Sequence, residues 1–284
     1  MCGIAGIIKL RGQTISDEYI EELVRELLIA SEIRGDDATG IAVINTELDK
    51  TTTMKGGQKA SDFVESKEWS TFKKKFKKGN IILLHTRSAT QGSAINNNNN
   101  HPFTSKKTHA VLIHNGIIHN DRVLEEEYKI GRDDSEVDSE IILLLYDLFL
   151  DMTKVIKKIR GSMGMALYHN KHLYLYRNTP PVTVAFLPTR GIIVFASTEG
   201  ILRNALGECN GTKLFGIFKK VEKYYKYDIP MDTLLDFNVD TESFKQSTVE
   251  SKQYGNTGGY YNTKDGVRTW VRYSNNNLKG EFRP

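Results

Sequence analysis

The first nine residues of the chain are mostly apolar, and three of them, Gly3, Ala5 and Gly6, are small. A continuous apolar run of this length predicts a buried strand. Gly12 closes the segment. Such a strand would carry its first residue, Cys2, into the interior of a fold.

Cys2 follows the initiator methionine directly, and its side chain is small enough for Met1 to be removed. Removal would leave a thiol and a free α-amine on one residue. A thiol with a pKa of about 8.5 can give its proton to an amine with a pKa of about 7.7–8.0 near neutral pH. The residue could therefore act as nucleophile and base together. A coincidental cysteine in an ordinary first strand would explain the position as well.

Composition narrows the class of protein. The chain has 284 residues, 39% hydrophobic and 26% charged, with a formal net charge of +4 that implies no partner by itself. Two cysteines make no disulfide framework and fit a reducing cytosol. The N-terminus lacks a signal pattern, and the most apolar stretch, 141–150, is too short to span a membrane. We expect a cytoplasmic protein with no membrane segment.

A helix is predicted after the first strand, with Ser16 as its N-cap and an apolar stripe formed by Ile20, Leu23, Val24, Leu27 and Leu28. A charged turn at 34–40 leads into a strand at 40–44. Residues 45–80 are polar and rich in lysine. Such a run is typical of a solvated helix face, which disfavours a nucleic-acid role.

Two further strands, 80–85 and 110–114, each run into a polar segment that contains glycine. Loops held by a rigid sheet often carry functional residues. The second of these loops contains Asn115-Gly116. This pair is also the commonest signal of a type I′ hairpin turn, so a plain turn remains an alternative.

The chain continues with a helix at 141–150, for which Asp138 could be the N-cap. Four short strands rich in β-branched and aromatic residues follow, and they predict an antiparallel meander in an α+β layered domain. These strands are 164–168, 172–176, 182–187 and 191–196.

Composition changes after about residue 240. We therefore predict a domain at 2–240 and, at 241–284, a tail poor in aliphatic residues that is loop-like or partly disordered. Tyr, Trp and Arg are enriched at interface hot spots, which makes the tail a candidate docking element. A tail that contacts nucleic acid is a weaker alternative. The residues concerned are Tyr260, Tyr261, Arg268, Trp270, Arg272, Tyr273 and Lys279.

Several of these segments together resemble the class II glutamine amidotransferase domain, a member of the N-terminal nucleophile hydrolases, and in particular the glutaminase half of glucosamine-6-phosphate synthase. The resemblance covers roughly residues 2–205. It implies a four-layer αββα sandwich of two antiparallel sheets. The segments, in the family's order, are Cys2-Gly3-Ile4-Ala5-Gly6-Ile7, 34–40 (RGDDATG), 85–92 (HTRSATQG), His101-Pro102-Phe103, 114–120 (HNGIIHN) and 135–140 (SEVDSE).

The resemblance implies hydrolysis of the L-glutamine side-chain amide to glutamate and ammonia. Cys2 would attack the amide carbon, and its α-amine would carry the proton to the leaving ammonia. The Asn115 side chain and the Gly116 backbone N–H would stabilise the oxyanion. Arg34 would support the loop over the nucleophile; a surface arginine before a turn is its alternative.

The resemblance also implies two charged groups that bind the substrate. Arg87, helped by Thr90 and the backbone near Gln91, would hold the α-carboxylate, and Asp138 the α-ammonium. Ser88 and Gln91 depart from the usual tryptophan and histidine of the nearest subtype, which makes the lid over glutamine less apolar.

No cofactor or metal is expected, since the spacing of the five histidines between His85 and His119 fits no ligand pattern. Residues 96–100 extend the asparagine content beyond the family's usual asparagine before the His-Pro pair at 101–102, and this extension is interpreted as polar filler. Cys209 is expected to be a small buried residue.

The chain after residue 205 is too short for an ammonia-using domain, and no GxxxxGK[ST] loop is present. We therefore expect a separate ammonia-acceptor synthase that docks near the site. Two alternatives stay open: a non-catalytic glutamine-binding regulatory module, and an N-terminal nucleophile hydrolase of another amide. The second would not need both Arg87 and Asp138.

Overall fold

Two antiparallel sheets form the framework of the larger of two units, Met1–Lys252; the smaller unit is Gln253–Pro284. The computed structural model describes residues 1–12, 15–132, 135–207 and 224–251, and the backbone of residues 259–264 and 267–272. Cys209, Tyr273 and Lys279 lie outside the described residues, as do the side chains of the other tail residues predicted to dock a partner.

The strands of the larger unit are β1 (Gly3–Lys9), β2 (Ala38–Asn45), β3 (Lys50–Gly56), β4 (Ile81–Arg87), β5 (Phe103–Thr104), β6 (Val111–Ile118), β7 (Gly161–His169), β8 (His172–Arg177), β9 (Thr183–Leu187), β10 (Ile192–Ala196), β11 (Tyr225–Asp228), β12 (Thr233–Asn238) and β13 (Ser243–Thr248). Its α-helices are α1 (Asp17–Ser31), α2 (Ala60–Phe63), α3 (Lys67–Phe72), α4 (Asp121–Tyr128), α5 (Glu140–Phe149), α6 (Met152–Lys158) and α7 (Glu199–Ala205). Short 3₁₀ helices occupy Glu32–Arg34, Lys73–Lys78 and Asn97–Asn99.

The seven-stranded sheet has the order β11-β9-β10-β1-β4-β2-β3, and the six-stranded sheet has the order β13-β12-β8-β7-β6-β5. Strand β1 is central in its sheet: Ala5 lies opposite Ala196 of β10 on one side and opposite Leu84 of β4 on the other. This position explains why the first segment of the chain is apolar on both faces.

Three apolar cores separate four layers. One core lies between helix α1 and the outer face of the seven-stranded sheet, and includes Leu23, Leu27 and Ile82. A second joins α5 and α6 to the outer face of the six-stranded sheet, and the third fills the space between the sheets. The predicted αββα sandwich is confirmed. Among the described helices, none is long and apolar enough to cross a membrane.

Helix α1 begins as predicted, because the Ser16 side chain accepts a hydrogen bond from the backbone N–H of Tyr19.

Two other predictions about local structure are wrong. Strand β6 does not end at His114, for it continues through Asn115 and Gly116 to Ile118. Strand β7 supplies a partner for each of these residues, so the predicted loop and the alternative hairpin turn are both absent at this point.

The predicted meander of four strands is also wrong. Strands β7 and β8 belong to the six-stranded sheet, whereas β9 and β10 form a hairpin in the other sheet. The two hairpins are joined by a segment that contains Pro180 and Pro181. Proline cannot donate to a strand ladder, so the chain leaves one sheet there before it enters the other.

The structure also places the boundary between the domain and the tail at a later residue. Strand β13 pairs with β12 along its whole length, from Ser243 opposite Asn238 to Thr248 opposite Thr233. Residues 241–251 are therefore part of the larger unit and not of a loop-like tail that starts at 241. In the smaller unit, β14 (Gly259–Lys264) and β15 (Val267–Arg272) form an antiparallel pair.

Candidate active site

Cys2 lies immediately before β1, beside the end of β4. Because Gly3 pairs with Thr86, the backbone of Ser88 comes next to the cysteine. The Ser88 N–H donates to Cys2 Sγ at 3.4 Å, and the thiol donates to the Ser88 carbonyl oxygen at 3.6 Å. Burial raises the pKa of the Cys2 thiol above its ordinary value, while the Ser88 hydrogen bond and the charge of Arg87 act in the opposite direction.

Arg34 contacts the backbone of Cys2. It ends the 3₁₀ helix that follows α1, and its Nε donates to the Cys2 carbonyl oxygen at 2.9 Å. Partial burial lowers the pKa of Arg34. The guanidinium nevertheless stays charged at neutral pH, because arginine is not deprotonated in proteins. The alternative interpretation of Arg34 as a plain surface arginine does not describe this contact.

Arg87 is the last residue of β4 and is only 3% exposed. Its Nη1 donates to Asn100 Oδ1 at 2.9 Å, and its Nη2 donates to the carbonyl oxygens of Gln91 and Gly92. These contacts account for three of the five N–H donors of a guanidinium. Thr90 and Gln91 themselves are exposed.

Asn115 and Gly116 lie within β6, in the facing sheet. Asn115 is 1% exposed, and among the described residues its Nδ2 has no hydrogen-bond partner. Gly116 has φ +156°, and a Cβ at this position would lie 1.8 Å from the Ser162 carbonyl oxygen. The site therefore needs glycine at 116 and presents a buried amide donor, of the kind that can stabilise an oxyanion, at 115.

Asp138 is 4% exposed, and its Oδ2 accepts a hydrogen bond of 2.5 Å from the Ile118 backbone N–H. This contact ties the carboxylate to the end of β6, two residues beyond Gly116. Asp138 is not the N-cap of α5, since that position belongs to Ser139. The charge of Asp138 contributes to the raised pKa of Cys2 and opposes the lowered pKa of Arg87, so the three side chains share one electrostatic environment.

Three buried histidines, His85, His101 and His114, lie where β4 of one sheet contacts β6 of the other. The ring of His101 packs on His85 with centroids 4.1 Å apart, and His85 Nε2 donates to the His114 carbonyl oxygen at 3.0 Å. Burial lowers the pKa of all three, that of His85 to about 3. Within the described ranges, no group of three or more His, Cys, Asp or Glu side chains could hold a metal ion.

The sequence reasoning missed several residues around these groups. Asp37 Oδ2 accepts from the Ala89 N–H at 2.7 Å and so braces the segment after Arg87. Asn99 and Asn100, interpreted as polar filler, are 0% and 1% exposed and hydrogen-bond to Glu136 and Arg87. The signal for Asn99 and Asn100 was hidden, because all five residues of the run at 96–100 are asparagine and only the fold separates buried members from exposed ones.

Comparison with known proteins relates this arrangement to one family. Residues 85–204 match the family described as the glutamine amidotransferase domain. The chain is 32% identical over 194 residues to a glutamine–fructose-6-phosphate aminotransferase (isomerizing) from Staphylococcus aureus, a match that covers 64% of this chain and 30% of that protein.

Two solved structures have a similar fold. The glutamine phosphoribosylpyrophosphate amidotransferase from B. subtilis superimposes with a TM-score of 0.63 and 18% identity, over 87% of this chain and 49% of that one. A glutamine aminotransferase class-II domain protein from Silicibacter pomeroyi gives a TM-score of 0.50 and 12% identity, over 88% of this chain and 100% of that one. The family match and the two-sheet fold together relate this chain to glutamine amidotransferase domains.

Proposed function

We propose that this domain hydrolyses the side-chain amide of L-glutamine to glutamate and ammonia, with Cys2 as the nucleophile once Met1 has been removed. The observation that carries the proposal is the fixed position of Cys2, whose thiol contacts Ser88 and whose carbonyl oxygen accepts from Arg34. A residue fixed by hydrogen bonds at both its thiol and its carbonyl oxygen is suited to attack a bound substrate.

The α-amine of Cys2, free after Met1 is removed, takes the proton of the thiol. Burial disfavours the thiolate and so raises the thiol pKa. An amine on the same residue can still accept the thiol proton, because it lies next to the thiol. The thiolate attacks the amide carbon, and the negative oxygen of the tetrahedral intermediate accepts hydrogen bonds from Asn115 Nδ2 and the Gly116 N–H. Collapse breaks the C–N bond, and the amine protonates the leaving ammonia. Water then hydrolyses the thioester to give glutamate and restores the thiol.

The substrate carries an α-carboxylate and an α-ammonium on the same carbon. In the proposed complex, donors of Arg87 not used by protein oxygens bind the carboxylate, together with Thr90 and the backbone near Gln91. Asp138 Oδ1 binds the ammonium, while Oδ2 keeps its hydrogen bond to Ile118. Buried opposite charges of this kind support selection of a zwitterionic substrate.

We further propose that the ammonia passes to a separate acceptor synthase, and we place the pair in the cytoplasm, where a nucleophilic thiol stays reduced. The chain matches only 30% of its aminotransferase relative, so the acceptor of that protein is not transferred to this one.

The test is release of glutamate and ammonia from L-glutamine by purified protein whose loss of Met1 has been verified by mass spectrometry. Cys2→Ala is expected to abolish release, and Cys209→Ala, the matched substitution of the other cysteine, to preserve it. Release that persists in Cys2→Ala would overturn the assignment of the nucleophile.

Two further outcomes would favour the other functions. Glutamine binding by the purified protein, measured by calorimetry, would favour a regulatory module if no ammonia is released either by the purified protein or in lysate. Release from a different amide and none from glutamine would favour another hydrolase. Activity that appears only in lysate would indicate that the site assembles with its acceptor.

A further inference from the structure

Two buried asparagines connect the two groups that are proposed to bind the charges of the substrate. In the segment that joins β4 to β5, Asn99 is the last residue of the 3₁₀ helix Asn97–Asn99 and Asn100 is its C-cap. Both are almost fully inaccessible, although they belong to a run of five asparagines whose first three members are exposed. Burial of two consecutive amide side chains is costly unless their hydrogen bonds are satisfied.

Asn100 is satisfied by contacts on the Arg87 side. Its Oδ1 accepts from Arg87 Nη1 at 2.9 Å, and its Nδ2 donates to the Ala94 carbonyl oxygen at 2.7 Å and to Asn97 Oδ1 at 3.0 Å. The backbone carbonyl oxygen of Asn100 accepts a hydrogen bond from Lys55 Nζ at 2.9 Å. The Asn100 amide is thus fixed in one orientation, with its oxygen towards the guanidinium.

Asn99 is satisfied on the Asp138 side. Its Nδ2 donates to Glu136 Oε2 at 2.8 Å, and its Oδ1 accepts from the Glu136 backbone N–H at 2.9 Å. Glu136 is two residues before Asp138 in the chain. Asn99 therefore pairs with both the backbone and the side chain of the segment that delivers the carboxylate.

Gly92 brings these contacts together. Its carbonyl oxygen accepts from Arg87 Nη2 at 3.1 Å. Its Cα lies against the Asn99–Glu136 pair so closely that a Cβ would stand 2.6 Å from Asn99 Nδ2, and its φ of +67° favours glycine. The segment after Arg87 is thereby packed directly on the hydrogen bonds that hold the segment before Asp138.

We propose that Asn99 and Asn100 are positioning residues that set the separation between Arg87 and Asp138, and that they thereby restrict the substrate to amides carrying an α-carboxylate and an α-ammonium on one carbon. This inference rests on the proposed function, in which Arg87 and Asp138 bind these two groups. Asn100 acts through Arg87 on recognition of the carboxylate, and Asn99 acts through Glu136 on recognition of the ammonium.

The test compares three substrates: L-glutamine, 4-aminobutanamide, which lacks the α-carboxylate, and 4-carbamoylbutanoate, which lacks the α-ammonium. Asn100→Ala is expected to raise KM for glutamine about tenfold with kcat nearly unchanged, since a hydrogen bond to a charged group is lost. It should reduce the preference for glutamine over 4-aminobutanamide while retaining most of the preference over 4-carbamoylbutanoate. Asn99→Ala should instead reduce the preference for glutamine over 4-carbamoylbutanoate and retain most of the preference over 4-aminobutanamide.

Asn98→Ala is the matched control, since Asn98 is an exposed neighbour in the same run. If Asn99→Ala does not fold, Glu136→Ala replaces it, and Glu136→Gln, which keeps an acceptor for Asn99 Nδ2, should restore the selectivity. A change in kcat alone, or an equal loss of preference over both analogues, would indicate simple loosening of the loop and overturn the inference.

Calorimetric Kd values for glutamine and the two analogues give the same comparison if the wild-type protein binds without turnover. Wild-type protein that neither binds nor hydrolyses glutamine would overturn the proposed function and this inference with it. Wild-type activity with variants that behave like Asn98→Ala would overturn the inference alone.

Discussion

Arg34 Nε donates to the backbone carbonyl oxygen of Cys2 at 2.9 Å. The contact fixes the peptide that follows the proposed nucleophile, while Ser88 contacts the thiol itself. A residue at the start of the first strand would otherwise be expected to fray, because chain ends are poorly ordered unless they are tied down. The arginine thus supplies part of the order that catalysis by Cys2 requires.

Replacing this arginine should therefore lower the rate more than the stability. We expect Arg34→Ala to reduce kcat for glutamine about tenfold or more, because a charged hydrogen bond that orients Cys2 is lost. Arg25→Ala is the matched control, since Arg25 is partly exposed and, in the described part of the chain, forms ion pairs with Glu26 and Glu65. Steady-state kinetics and thermal unfolding of both variants check this, and equal kcat values for the two would contradict it.

Asn115 and Asn178 are both buried asparagines, but they differ in their partners. Asn178 bonds to Met163, Gly161 and other groups, whereas Asn115 Nδ2 has no partner within the described part of the chain. We expect Asn115→Ala to lower kcat about 10²–10³-fold, as loss of an oxyanion donor does. The same change should leave the free energy of unfolding almost unaltered, because no hydrogen bond from Nδ2 is lost.

Asn178→Ala should show the reverse: a loss of roughly 2–4 kcal/mol in the free energy of unfolding, since buried partners are left unsatisfied. Urea unfolding and single-turnover kinetics separate the two effects. Strong destabilisation by Asn115→Ala would mean that the amide has a structural partner and is not a free oxyanion donor.

Gly116→Ala tests the backbone on the other side of the oxyanion site. The added Cβ would stand 1.8 Å from the Ser162 carbonyl oxygen at a φ of +156°, so β6 and β7 must separate. We expect a loss of roughly 2–5 kcal/mol in the free energy of unfolding. Gly131→Ala, where no atom of the described residues lies within 4 Å of the new Cβ, should change the free energy of unfolding by less than about 1 kcal/mol. Similar stabilities of the two variants would contradict the close contact.

Much of the fold could be predicted from the sequence. The apolar strands and the amphipathic helix predicted an α+β layered domain, and the family resemblance implied its four layers. The course of β6 past Asn115-Gly116 could not, since a local Asn-Gly signal describes a turn and only the distant residues of β7 continue the ladder. The separation of β8 from β9 depended in the same way on which sheet each hairpin joins. Long-range pairing is absent from local patterns.

The site could be predicted in part. The resemblance supplied Cys2, Arg34, Arg87, Asn115, Gly116 and Asp138, and the structure describes the surroundings of each. It gave no role to Asn100 or Glu136, because their importance lies in contacts with Arg87 and Asn99 across the fold. The identities of two residues far apart in the sequence do not show that their side chains will form a hydrogen bond in the fold.

The buried histidines predict how stability depends on pH. Burial lowers the pKa of His85 to about 3 in the folded protein, whereas an unfolded histidine titrates near 6.5. Below pH about 6.5 the unfolded chain binds a proton at this histidine that folded His85 does not bind. The free energy of unfolding therefore decreases as the pH is lowered. For His85 alone the expected loss between pH 7 and pH 5 is about 2 kcal/mol. His101 and His114, whose pKa values are also lowered, add to it.

Urea unfolding of wild-type protein and of His85→Gln at pH 7, 6 and 5 measures this contribution. The variant is expected to be less stable at pH 7, because the packing on His101 and the bond to the His114 carbonyl oxygen are disturbed. Its stability should nevertheless fall less steeply as the pH is lowered, since one fewer group gains a proton on unfolding. His109→Gln, at an exposed position, should keep the wild-type slope. Equal slopes in wild-type protein and His85→Gln would mean that His85 is protonated in the folded state and would contradict its burial as a neutral imidazole.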